Sequence, residues 1–219
     1  KESILEAQFT PGAGNWCTWM FGRDLVNWNN NFTWAKWVTP SRDLISTFKQ
    51  EGDEVRFKES VVYYDCGWSN YYPSDNYPFM YKCRSANSSI IKYRYADVLL
   101  LKAEALIMQD TPDLEGAADI IDEVRDRAKL GALSSSTRSN KDALLNALLK
   151  ERRLELAFEG QRWFDLVRLD KVEEVMNAVH AKDSGRKAQV YTYDKNSYRL
   201  PIPQSVIDAN DKIHQNPGY

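Results

Sequence analysis

The sequence predicts a mostly α-helical fold with a small β-strand pair and long aromatic-rich loops. Three observations carry this. Residues 93–181 place apolar side chains at helical spacing through most of their length. Residues 60–66 and 78–84 are short runs rich in valine, tyrosine and phenylalanine, the composition of strands. Residues 10–40 hold Trp16, Trp19, Trp28, Trp34 and Trp37, yet Pro11, Gly12, Gly14 and Gly22 interrupt any long regular element.

Composition bounds the rest. A chain of 219 residues with 43% hydrophobic content is long enough for one sizeable core and predicts one domain. The formal net charge of −2 argues against a nucleic-acid partner, which calls for a basic face. No apolar run approaches the length of a membrane-spanning helix. The chain starts at Lys1, its first methionine is Met20, and it opens on no signal peptide, so a processed chain or an excised piece is expected. Cys17, Cys66 and Cys83 are an odd count with no zinc spacing. Cys66 and Cys83 flank the segment between the two strands; a bridge in an oxidising compartment and three unpaired thiols both fit.

Taken in order, residues 1–9 alternate loosely and read as a short strand or lead-in. The tryptophan stretch follows, with Asn27, Asn29, Asn30 and Asn31 interspersed. Loops normally expose polar residues, so this concentration needs a reason. Sugar binding supplies one. A pyranose presents a flat C–H face that stacks on an indole, and its hydroxyls need side-on donors and acceptors, which an asparagine amide combines. Trp16, Trp19, Trp28 and Trp34 are the expected platforms, with Asn29 and Asn30 as hydrogen-bonding side chains. Trp37, directly before a helix start, is expected to pack on the body instead.

Ser41 after Thr39-Pro40 is an N-cap, Leu44, Ile45 and Phe48 form the apolar face of the helix it opens, and Gly52 ends it. Asp53 and Glu54 then read as a capped, solvated turn. Between the two strands lies GWSNYYPSDNYP, whose Trp68, Tyr71, Tyr72 and Tyr77 either line the same pocket as the first aromatic loop or cover the sheet edge; Tyr71 and Tyr72 join the ligand-binding candidates. From Tyr93, Ala96, Leu99, Leu100, Ala103, Leu106 and Ile107 keep helical spacing to about Gln109. Thr111-Pro112-Asp113 turns the chain, and Ala117, Ile120, Ile121, Val124 and Ala128 define a second helix ending at Gly131. The unit spans about 34 residues, the length of a tetratricopeptide-like hairpin. One such hairpin cannot bury both faces, so it must stack on further helices, either ones absent from this chain or the helix at 140–159. Residues 132–140 read as a polar loop.

The stretch 150–170 reads as two helical pieces hinged at Gly160, with Leu154 and Phe158 on the core face of the first. Trp163, Phe164, Leu166 and Val167 in the second are too apolar to share exposure. Glu151, Glu155 and Glu159 recur every four residues and would repel if unpaired; Arg152, Arg153, Arg162 and Arg168 are close enough in sequence to neutralise them. An acid/base site would fit such carboxylates, but no histidine or nucleophile stands beside them, so a structural network at a helix junction is the expectation. A helix from Lys171 to Ala181 follows, then a turn-rich stretch, an extended segment at Tyr198–Ile202, a short helix begun by Pro203 and a closing turn. His180 and His214 form no metal or triad pattern. No cofactor is expected; a structural calcium ion is compatible with the sequence but not called for by it.

Three segments, YRYADVLLLKAEAL from Tyr93, ERRLELAFEGQRWFDLVRLD from Glu151, and YRLPIPQSVIDAN with QNPGY at the end, resemble in order the SusD/RagB family of glycan-binding outer-membrane lipoproteins. The resemblance covers most of residues 40–219. It implies a SusD-like helical fold and a chain about twice this long, with an N-terminal signal and a lipidated cysteine, of which this is the C-terminal portion. Residues 1–92 would be a loop-rich ligand-binding region, 93–181 the helical region and 182–219 a C-terminal strap. It further implies non-catalytic binding of an oligosaccharide or polysaccharide at the cell surface and delivery to a SusC-like TonB-dependent transporter, as in polysaccharide utilisation by Bacteroidetes. Two alternatives stand beside this: a helical-repeat module that binds only protein, and a glycoside hydrolase using Asp24 and Asp43, the carboxylates flanking the tryptophan loop.

Overall fold

A computed structural model of the chain describes residues 2–10, 39–67, 71–82, 89–182 and 192–219. Two compact units divide it, residues 1–162 and 163–219.

In the first unit, β1 (Ser3–Ala7) pairs antiparallel with β4 (Ile90–Arg94), Ser3 facing Arg94 and Ala7 facing Ile90. The second pair, β2 (Val61–Tyr64) with β3 (Tyr77–Met80), is also antiparallel, Val61 facing Met80 and Tyr64 facing Tyr77. The sequence pointed to only this second pair; residues 93 and 94, read there as the start of a helix, close the first. Helix α1 (Arg42–Glu51) begins as its sequence dictates: the Ser41 side chain accepts from Leu44 N–H, and Gly52 at φ 69° ends it, its N–H donating to Lys49 O. Leu44, Ile45 and Phe48 are buried. Helix α2 (Glu54–Ser60) starts at Asp53, whose side chain caps Arg56 N–H. The expected cap is there and Glu54 is exposed, but Asp53 itself is not solvated, being 1% exposed.

Helices α3 (Tyr95–Met108) and α4 (Leu114–Arg127) form the hairpin, with Asp113 capping α4 through Gly116 N–H. Residues 132–140 hold a short helix, α5 (Ser135–Arg138), where a loop was expected; the Ser134 side chain caps it. Helix α6 (Lys141–Glu155) is capped by Asn140. It supplies the hairpin's stacking partner, since Leu144 and Leu148 join Leu100, Ala103, Ile107, Ala117, Ala118, Ile121 and Val124 in one buried cluster. The fully buried alanines let α3 and α4 approach closely, so the fit rests on shape as much as on burial. The other end of α6 places Leu154 against Leu44 and Phe48 of α1.

Helix α6 stops at Glu155, earlier than its spacing suggested. Phe158 takes φ 67° and Gly160 φ 81°, so the junction is a turn over residues 156–160 and Glu159 lies off the helix. Phe158 still packs beside Leu154, now from the turn.

Helix α7 (Arg162–Arg168) starts at the last residue of the first unit; the second unit holds the rest of it, with α8 (Val172–Lys182), a 3-10 turn at Lys195–Tyr198 and α9 (Gln204–Asp208). Leu166 and Val172 are buried, whereas Phe164, expected to be shielded, is 66% exposed. Asn177 mimics a strand partner for Tyr193, donating to its O and accepting from its N–H, each at 2.9 Å. The extended segment before α9 is clasped the same way. Gln215 accepts from Ile202 N–H at 2.8 Å and donates to Ile202 O at 2.9 Å, and the Asn216 amide donates to Leu200 O at 2.6 Å.

Candidate functional site

The junction carboxylates resolve first. Glu151 meets Arg56 at 2.5 Å and Arg125 at 3.3 Å. Glu155 meets Arg94 at 2.6 Å, Arg56 at 3.1 Å, and Arg127. Glu159 meets Arg94 and Lys82, each at 2.7 Å. Asp53 meets Arg56 at 2.5 Å, and Glu2 on the lead to β1 meets Arg94 at 2.9 Å. The neighbouring arginines go elsewhere, which corrects the pairing expected from the sequence. Arg152 lies 2.9 Å from Asp97, Arg153 2.6 Å from Asp43, Arg168 2.6 Å from Asp165, and Arg162 donates to Leu149 O. For Arg153 the reason is helical geometry: it stands two positions from both Glu151 and Glu155, and residues two apart on a helix do not face each other.

Burial pushes the Glu155 carboxyl up, but Arg94 and Arg127 outweigh it and hold it at about 2. Lys82 is driven down by burial, with Glu159 opposing. A carboxylate held that far below neutrality and ringed by guanidiniums is a poor general base. The network is therefore a lock that ties α2, β4 and the chain ahead of β1 to α6. Asp43, one of the two hydrolase candidates, is engaged by Arg153; Asp24 lies outside the described residues. Among the described residues no three metal-ligating side chains cluster, and His214 is exposed.

The aromatic side is built on β2 and β3. Cys66, Tyr77 and Phe79 are buried there, with Val62, Tyr64, Tyr71, Tyr72 and Tyr81 packed around them. Tyr71 and Tyr72, both half-buried, stand edge-to-face with ring centroids 5.0 Å apart, and Tyr72 meets Tyr77 at 5.5 Å. Arg42, the first residue of α1, lies over both rings, 4.1 Å from the Tyr71 centroid and 4.4 Å from the Tyr72 centroid. Its guanidinium also donates to Tyr71 O. The Tyr72 hydroxyl donates to Pro40 O at 2.7 Å and the Thr39 hydroxyl to Pro78 O at 3.1 Å. Residues 39–42, the exit of the tryptophan stretch, are thus pinned against the second aromatic loop.

Of the candidate ligand-binding residues, Tyr71 and Tyr72 stand in this cradle. Trp16, Trp19, Trp28, Trp34, Asn29 and Asn30 lie outside the described residues, as do Trp37, Trp68, Cys17 and Cys83, and with Cys83 the proposed Cys66 bridge. Sequence reasoning passed over Arg42. Its signal was an arginine directly after a capping serine, where the helix dipole disfavours a cation unless rings or anions hold it. Chemically, the cradle offers aromatic rings and phenolic hydroxyls, with a guanidinium packed against the rings. That set suits stacking and hydrogen bonding.

Fold and cradle define a class: a helical-hairpin protein with a tyrosine-rich segment packed on a small strand pair. The chain belongs to the SusD family, whose sequence model matches residues 76–219. Among curated relatives it is 41% identical to SusD-like protein P38 of Formosa agariphila over 139 residues, 61% of this chain and 25% of P38. It is 34% identical to SusD-like protein P2 of the same organism over 142 residues, 62% of this chain and 27% of P2. Among solved structures, a laminarin-binding SusD-like protein superposes with a TM-score of 0.67 at 25% identity, over 100% of this chain and 50% of that one. The chain thus spans about a quarter of the length of these curated relatives and half of that solved chain.

Proposed function

We propose that the chain binds an oligosaccharide or polysaccharide without hydrolysing it, at the outer-membrane surface, and passes it to a SusC-like TonB-dependent transporter. The observation that carries the reading is the Tyr71–Tyr72 cradle, to which Pro40 and Arg42 are fastened. Membership of the SusD family and the likeness to a laminarin-binding protein support a glycan as the ligand class. In this reading Trp16, Trp19, Trp28, Trp34, Tyr71 and Tyr72 stack on sugar rings, and Asn29 and Asn30 hydrogen-bond hydroxyls. Membrane attachment, in this reading, is through a lipid anchor. No cofactor takes part.

Affinity electrophoresis against laminarin, galactomannan, xylan and pullulan tests this, with the Trp16→Ala/Trp28→Ala variant alongside. Retardation by one polysaccharide, abolished in the variant, is the expected result. Equal mobility with every polysaccharide contradicts it. Reducing ends released from the retarding polysaccharide would favour a hydrolase instead. A second reading, a helical-repeat module that binds only protein, draws on the exposed Val98, Leu101 and Met108 of α3.

A further inference from the structure

Arg42 sits where its charge is least welcome, in the first turn of α1, over the partial positive end of the helix. Two ring faces and one carbonyl hold it there. The same contacts work in reverse. One planar group touches both tyrosine rings and the Tyr71 carbonyl, so it fixes the ring directions and the backbone that carries them. A guanidinium suits this: its central carbon stands 4.1 and 4.4 Å from the two ring centroids while one of its N–H groups reaches the carbonyl. A lysine ammonium, being a point charge, cannot hold that plane.

We infer that Arg42 is a positioning residue for ligand binding, presetting the Tyr71 ring as a stacking surface without touching the sugar. This rests on the reading of Tyr71 and Tyr72 as ligand-binding residues. A platform already ordered loses little freedom when the ligand arrives, whereas a loose one must be frozen at that moment. For one tyrosine side chain the difference amounts to roughly a three- to tenfold change in affinity.

The test is a double-mutant cycle on affinity, not on stability. Wild type, Arg42→Lys, Tyr71→Ala and the double variant are titrated by calorimetry with whichever of laminarin, galactomannan, xylan or pullulan retards the wild type. The temperature is held well below every melting midpoint. Arg42→Lys and Tyr71→Ala should each weaken binding about three- to tenfold, and the double variant should bind clearly more tightly than the product of the two losses predicts. Arg42→Gln, which keeps planar N–H donors without the charge, serves if Arg42→Lys does not fold. Wild-type affinity in the Arg42 variants overturns the inference and leaves the proposed function standing. Losses that multiply in full also overturn it, because Arg42 would then contact the sugar itself. Failure of the wild type to bind any of the four overturns both.

Discussion

Replacing Arg94 by methionine removes the most heavily used cation of the junction. Its guanidinium reaches Glu155 at 2.6 Å, Glu159 at 2.7 and 3.0 Å, Glu2 at 2.9 Å and the Glu155 carbonyl at 2.7 Å. Methionine keeps much of the packing volume and discards the charge. Breaking a buried ion pair by removing one partner costs about 3–5 kcal/mol, because the other charge stays buried. Glu155 keeps Arg56 and Arg127, so the lower end, about 3 kcal/mol, applies. With a urea slope of about 2 kcal/mol/M, the unfolding midpoint should fall by roughly 1.5 M. Acid gives a second reading of the same contact. Folded Glu155 sits at about 2 against an ordinary 4.5. At about 1.4 kcal/mol per pH unit, this contributes roughly 3 kcal/mol. The sign follows from the depression: the stabilisation is fully present above about pH 4.5 and is lost as pH falls towards 2. Without Arg94 the folded carboxyl moves back up, so the variant should lose less stability over that range than the wild type. Urea unfolding followed by circular dichroism at pH 7, 5, 4 and 3 measures both effects. A midpoint within about 0.3 M of wild type at pH 7, or an unchanged pH slope, would refute the reasoning.

Two further substitutions test local geometry. Gly52→Ala meets no atom within 4 Å but must adopt φ 69°, so it should cost about 1–2 kcal/mol in urea unfolding with no rearrangement. Gln215→Leu removes both bonds to Ile202, each about 1 kcal/mol, and should speed amide exchange at Ile202 by roughly tenfold or more, with protection in α3 and α4 unchanged.

What was legible in the sequence was local. The Ser41 cap, the Gly52 stop, the apolar faces of α1, α3 and α4, and the glycine at position 160 are each decided within a few residues. The partners of the acidic triad were not, because Arg56, Lys82 and Arg94 stand 61–99 positions away from the carboxylates they meet. Nearest charges in sequence were the wrong guide, since Arg152 and Arg153 leave α6 on other faces and find Asp97 and Asp43. The same distance hid the pairing of β1 with β4, and with it the fact that Arg94 ends a strand before it serves the network. Asp53 looked like a surface cap because capping is common at exposed helix starts; its burial depends on Arg56, which brings it to the Glu151 side of α6. For the candidate site, aromatic and amide composition pointed to the chemistry. Arg42 emerged only from the ring stacking that three-dimensional structure reveals.

The measurement that bears most directly on the glycan-binding account is a calorimetric titration of the chain with oligosaccharides prepared from a retarding polysaccharide. The Trp16→Ala/Trp28→Ala and Tyr71→Ala variants are titrated in parallel. Saturable binding, lost in the first variant and weakened about three- to tenfold in the second at unchanged melting temperature, is the predicted result. Binding of equal strength in all three proteins would place the sugar elsewhere and contradict the account.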